Sequence, residues 1–123
     1  MRYPERNVRQ MNCKITNKSS GKQLCEALIA DNPFSRTRGL MFRKGAIPIL
    51  FKFPASGIWP IHSLFVFFPF DAVYIDSSKC VTEILANLAP LQFLISPKLR
   101  SNFLLELPAG KSDSLRVGDI LEW

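Results

Sequence analysis

The most apolar stretch of the chain runs from Ile58 to Ile75. It is as long as a bilayer span, yet Pro60, His62, Pro69 and Asp71 interrupt it. A lipid-facing helix tolerates neither the broken backbone nor the acid. A surface helix would alternate apolar and polar faces at a period of 3.6, and this stretch does not. Buried extended chain remains, read as two strand pieces that meet near Pro69, because proline in a sheet is confined to strand ends, edges and bulges. A chain with such a centre folds as sheet around a core.

The flanking sequence follows the same pattern. Cys13 and Ile15 alternate with polar neighbours before a turn at Asn17-Lys18-Ser19-Ser20-Gly21, and Gln23 to Ala30 forms the second arm of a hairpin. Asp31 or Asn32 can cap a short helix over Pro33–Arg38, with proline at its first position and Gly39 to stop it. Ile47, Ile49, Phe51 and Phe53 have strand spacing, and Pro54-Ala55-Ser56-Gly57 reads as a turn. Asp76-Ser77-Ser78-Lys79 turns the chain into a strand from Cys80 to about Leu88, and Asn87 to Pro97 is irregular. Asn102 to Leu107 is a strand, Pro108-Ala109-Gly110 a tight turn, Lys111 to Leu115 one helical turn, and Ile120 to Trp123 a last short strand. About eight short strands at this spacing predict a mainly β domain. The expected architecture is a compact antiparallel β-sandwich or barrel-like domain with one or two short helices. It occupies residues 12–123, behind a flexible basic leader at 1–11.

Size and composition fit one such domain. The chain has 123 residues, about the commonest length for a single domain. Its ten phenylalanines supply a core, and 47% apolar against 21% charged residues excludes wholesale disorder. Sixteen basic residues against ten acidic ones leave a net charge of +6. The excess sits early: residues 1–22 hold six basic side chains and only Glu5 as acid. Such a segment can contact nucleic acid through phosphates, although Tyr3 is its only base-stacking aromatic. Cys13, Cys25 and Cys80 are odd in number and widely spaced, as reduced thiols are, not a secreted disulfide framework. With His62 they could in arithmetic make a Cys₃His zinc site, but no short ligand spacing supports it, and no metal or cofactor is expected. Arg2, Arg6 and Arg9 are followed by no apolar run of the signal-peptide kind, so the expected location is cytoplasmic.

Few residues offer chemistry. Arg36, Arg38 and Arg43 crowd the end of the short helix, where guanidinium forks suit a carboxylate or phosphate. The alternative is that they pair with Asp31, Asp71 or Glu106 and fasten the helix to the sheet. His62 is the only histidine, so any histidine-based mechanism must use it. Ser63 beside it on a strand would face the other way, which makes a Ser63–His62 dyad poor. Asp71 lies in an apolar run and must be hydrogen-bonded, paired or set in a pocket. Glu106, in Leu-Leu-Glu-Leu-Pro, poses the same question, and both read as anchors of the fold.

Several of these pieces together resemble a known family. Arg36-Thr37-Arg38-Gly39-Leu40-Met41-Phe42-Arg43 is similar to the Arg-x-Arg-Gly-Leu-Met-Phe-Arg signature of the domain of unknown function 192 family, also called uncharacterised protein family 0127. Ile61-His62-Ser63, Phe68-Pro69-Phe70-Asp71, Tyr74-Ile75-Asp76, Asn87-Leu88-Ala89-Pro90, Leu105-Glu106-Leu107-Pro108-Ala109-Gly110 and Val117-Gly118-Asp119 follow in the family's order. The family often carries Met-Arg before its Phe-Pro element, where this chain has Val66 and Phe67. The resemblance implies a mainly β fold and no particular reaction.

The leading expectation is a non-enzymatic binding module for a small anionic ligand or acidic peptide. Its site would lie where Arg36, Arg38 and Arg43 meet the strand carrying His62 and Asp71. The rivals are a hydrolase-like enzyme with His62 as base and Asp71 orienting it, and non-specific nucleic-acid binding through the basic first half. Oligomeric state is not legible.

Overall fold

The computed structural model describes residues 12–123, and the leader read at 1–11 lies outside them. Seven strands and one helix follow in order: β1 (Asn12–Asn17), β2 (Lys22–Ala30), α1 (Pro33–Arg38), β3 (Ile49–Gly57), β4 (Phe70–Ile75), β5 (Val81–Leu88), β6 (Ser101–Pro108) and β7 (Leu121–Glu122). A single 3₁₀ turn occupies Lys111–Ser114. The strands form one sheet in the order β5-β4-β6-β3-β2-β1-β7. It curls until its two ends meet at a bridge between Cys80 and Ile120, which gives the barrel-like outline.

Three sequence expectations need correction. The sheet is mixed: β2 and β3 run parallel, with Leu28 opposite Ile49 and Ala30 opposite Phe51. Two parallel neighbours need a crossover, and α1 with the turns after it supplies one. Second, Pro54 to Gly57 continue β3 instead of turning it, because an irregularity between Lys52 and Gly57 absorbs the proline and restores pairing at Gly57–Ser101. Third, of the two strand pieces expected between Ile58 and Ile75, only Phe70–Ile75 is a strand. Ile58 to Pro69 is a wrap over the sheet, with one isolated β-bridge among the described residues, Ile61–Ile95. Ser63 clasps it to the neighbouring loop: its hydroxyl donates to the Ala89 carbonyl at 2.9 Å and accepts from the Gln92 amide at 2.8 Å.

Period-2 alternation gives the sheet two apolar faces. Ile15, Ala27, Leu50, Val73, Ile75, Leu105, Leu107 and Leu121 fill the inside of the curl. Ile49, Phe51, Phe70, Ala72, Tyr74 and Leu104 point to the other face, which is covered by Leu40 just after α1, Val66 of the wrap and Ile95 of the loop between β5 and β6. Tyr74 is fully buried, and its hydroxyl donates to the Trp59 carbonyl at 2.7 Å, which ties the wrap to β4. The second face carries the candidate site.

Candidate functional site

Helix α1 forms because both its ends are satisfied within six residues. Asn32 Oδ1 accepts from the Ser35 amide at 2.9 Å, the Asn32 amide donates back to Ser35 Oγ at 3.4 Å, and Pro33 opens the first turn. At the other end Gly39 has φ 44° and ψ −125°, a combination that suits glycine alone. Turns follow, with Met41 donating to the Arg38 carbonyl and Phe42 to that of Phe65. This segment lies above β3 and β6. A Cβ at Gly39 would come within 3.0 Å of the Phe51 ring and 3.7 Å of a Glu106 carboxylate oxygen.

Between this segment, the sheet and the wrap lies a cavity of about 410 Å³. Phe51 and Phe53 of β3 and Leu104 of β6 line it from the sheet, with Trp59 and Val66 from the wrap. Trp59 folds back onto β3: its ring stacks on Phe53 at 4.5 Å and 10°, and its Nε1 donates to the Ala55 carbonyl at 3.1 Å. Arg36, Arg38 and His62 complete the lining, and Glu106 sits among them.

The five residues singled out from sequence separate here. Arg36 reaches the Lys52 carbonyl with one guanidinium nitrogen at 3.1 Å and so fastens α1 to β3. Arg38 is exposed, and its Nε donates to the Met41 carbonyl only at the long distance of 3.5 Å. Arg43 is partly buried and folds back, donating from Nε to the Gly39 carbonyl at 2.8 Å. Burial and the nearby Arg38 charge lower its pKa, against the opposing pull of Glu106. His62 is exposed at the cavity wall, with Nδ1 accepting from the Leu64 amide at 3.2 Å. The arginine–carboxylate ion pairs weighed from sequence do not form among the described residues; these three arginines bond to carbonyls.

Asp71 does not join the group. It is fully buried in β4, on the side of the strand opposite Phe70 and Ala72. Its carboxylate accepts from the Asn87 amide at 2.8 Å, from the Gly110 and Ser112 amides at 3.0 Å each, and from the Ser112 hydroxyl at 2.6 Å. Burial pushes the carboxyl up, but these four bonds together outweigh it and hold the pKa below the ordinary value. Asp71 is an anchor that ties the 3₁₀ turn and the end of β5 to the sheet.

Glu106 is the residue the sequence reading misplaced. It shares a face with Leu104, in register with Ile49 and Ala72, and is only 5% exposed. Among the described residues its carboxyl has no hydrogen bond and no ion pair. Burial pushes its pKa up to about 8, with Arg43 pulling weakly the other way. Its neighbours Leu105 and Leu107 point into the curl, so alternation sets Glu106 on the opposite face with Leu104. What it meets there depends on α1 and the wrap, neither of which is near it in sequence.

The arrangement can bind, because it joins an apolar recess to cations at the mouth and an acid on the floor. Among the described residues no three His, Cys, Asp or Glu side chains cluster as metal ligands would, and no helix is long and apolar enough to cross a membrane.

Relatives share both sequence and fold. A member of uncharacterised protein family 0127 from Pyrococcus furiosus is 34% identical over 114 residues, covering 89% of this chain and 97% of that one. A second, from Pyrococcus horikoshii, is 31% identical over 102 residues, covering 80% and 87%. Among solved structures, a Sinorhizobium meliloti protein described as a "putative transcription regulator" superposes with a TM-score of 0.83 at 25% identity, over 92% of this chain and 94% of that one. A protein of unknown function from Novosphingobium aromaticivorans shares the fold, with a TM-score of 0.79 at 19% identity over 93% of this chain and 85% of that one. The profile of the family described as uncharacterized ACR matches residues 15–123, and the chain therefore belongs to the domain of unknown function 192 family.

Proposed function

We propose that this protein is a non-enzymatic binding module for a small anionic ligand, held in the cavity between α1, the wrap and the β3–β6 face. The observation that carries the reading is the pair Arg36 and Arg38 at the cavity lining, with no carboxylate bound to either guanidinium among the described residues. Guanidinium groups beside an apolar recess favour an acid with an apolar body. A volume of about 410 Å³ suits one small molecule better than an extended peptide. The hydrolase reading has less support, because Asp71 spends its carboxylate on Asn87, Gly110 and Ser112 and leaves His62 without that partner. The description of the Sinorhizobium relative keeps nucleic acid as the other reading, although α1, at six residues, is short for a major-groove helix.

The test is titration with 3-phenylpropionate, a small acid with a ring, followed by calorimetry and thermal shift. Binding at millimolar concentration or below is expected, weakened about tenfold or more in Arg38→Ala, the range for losing a hydrogen bond to a charged group. Binding that is unchanged in Arg38→Ala and in Arg36→Ala would remove the anion from this reading.

A further inference from the structure

Glu106 has no role in the reading just given. An anionic ligand gains nothing from an acid on the cavity floor. The fold gains nothing either, since the carboxyl ties no strand, turn or arginine among the described residues. A buried polar group without partners costs stability, on the order of 1–3 kcal/mol, so a structural acid would ordinarily be bonded as Asp71 is. Glu106 instead lies at the cavity, 95% withdrawn from solvent, with its open side toward the space between Gly39, Phe51 and Leu104.

Gly39 keeps that space clear. Any side chain there would start 3.0 Å from the Phe51 ring and 3.7 Å from the Glu106 carboxylate, inside the volume a ligand group would fill. The nearest cation does not fill it. Arg43 points its Nε at the Gly39 carbonyl and stays beyond ion-pair distance of Glu106. The other groups facing this acid are Arg36 and Arg38 from α1, His62 from the wrap and Tyr74 from β4, whose hydroxyl is committed to Trp59.

We infer that Glu106 receives a protonated amine, so that the ligand of this cavity is a small zwitterion. Its amine would sit on Glu106, its acid group at Arg38 and Arg36, and its apolar body against Phe51, Phe53 and Trp59. The inference rests on the anion reading of the same cavity and adds the second charge. Opposite charges at the two ends would fix the ligand's orientation, which apolar walls alone cannot do. They would also discriminate against plain acids and plain amines, each of which leaves one buried or clustered charge unanswered.

Three probes of one shape separate these contributions: L-phenylalanine, 3-phenylpropionate without the amine, and phenethylamine without the acid. Calorimetric titration of the full chain just above pH 8, where Glu106 is ionised, should rank phenylalanine about tenfold or more above either truncated probe. In Glu106→Gln, which keeps the volume and removes the charge, phenylalanine should fall to the level of 3-phenylpropionate while 3-phenylpropionate itself is unchanged or improved. A thermal melt of the variant confirms that it is folded. Because burial raises the Glu106 pKa, affinity for phenylalanine should climb between about pH 6 and pH 8 in the wild type but not in Glu106→Gln. If 3-phenylpropionate binds as tightly as phenylalanine to the wild type, the zwitterion is wrong and the anion site stands. If none of the three probes binds, both are wrong.

Discussion

Asp71 and Glu106 are the same functional group in the same sheet, one strand apart, and their surroundings send them in opposite directions. Asp71 has four donors on its carboxylate, so removing it leaves three buried or half-buried amides and a hydroxyl without a partner. Asp71→Ala should cost about 3–5 kcal/mol in chemical denaturation, several unsatisfied donors at 1–3 kcal/mol each less what water recovers. Its folded pKa is depressed, so its stabilisation is present above the unfolded value and is lost as the pH falls below it. Glu106 has the reverse sign. Its folded pKa of about 8 lies above the ordinary 4.5, so the fold favours the protonated form. That preference is fully present below about pH 4.5 and is lost as pH rises through 8. Glu106→Gln should therefore match the wild type near pH 4.5 and exceed it by roughly 1–3 kcal/mol at pH 7. Denaturant midpoints at the two pH values check this, and a variant less stable than the wild type at pH 7 would mean that Glu106 holds the fold together. Both carboxylates stand out in the sequence as acids among apolar residues. Their fates are not legible there, because the donors to Asp71 lie 16 to 41 residues away and the space above Glu106 is made by a turn 67 positions earlier.

At the scale of elements, whatever depends on near neighbours was legible. The run Asn32-Pro33 to Gly39 carries its own cap, first-turn proline and stop, and α1 has the expected bounds, Pro33–Arg38. The alternation of Ile47, Ile49, Phe51 and Phe53 also matches one face of the sheet. Pro54 misled because a proline in a strand looks like a turn unless the partner strand, here β6, is seen to resume beyond it. The wrap misled for a related reason. Ile58 to Pro69 is apolar because it covers a sheet face, and a buried cover has a buried strand's composition without its ladder. The parallel pairing of β2 with β3 could not be read either, since a hairpin and a crossover begin with the same strand. Gly39 joins element to site. Gly39→Ala forces a side chain into a conformation that suits glycine alone and should cost about 1–3 kcal/mol. The same Cβ narrows the space above Glu106. Probe affinity should therefore drop more in Gly39→Ala than in a variant of equal stability loss made inside the curl, such as Leu105→Ala. Equal losses of affinity would show that the glycine serves the fold alone.

For the molecule as a whole, two apolar layers share one sheet, and the positive charge is a property of the chain's first half. Eleven of the sixteen basic residues precede Phe53, so some affinity for polyanions follows from charge alone. It should be blind to sequence and fall by about 10³-fold between 50 and 200 mM salt if six phosphates are neutralised. Fluorescence anisotropy with two unrelated oligonucleotides measures both properties, and a preference above tenfold or binding that resists salt would make nucleic acid a specific partner. The closing seam of the sheet bears on how the protein is made. Strand β7 is only two residues long, yet with its neighbours it seals both ends of the sheet at once. The Lys18 amide donates to the Ile120 carbonyl on the β1 side, while the Leu121 and Val81 amides bond to the Lys79 and Asp119 carbonyls on the β5 side. Among the described strands these residues come last in the chain and so leave a ribosome after the other six. Until they emerge, a nascent chain whose other six strands are complete presents two unpaired edges, the form in which strands recruit chaperones or one another. Closure of the sheet is thus timed by a handful of residues near Ile120, after most of the core has been synthesised.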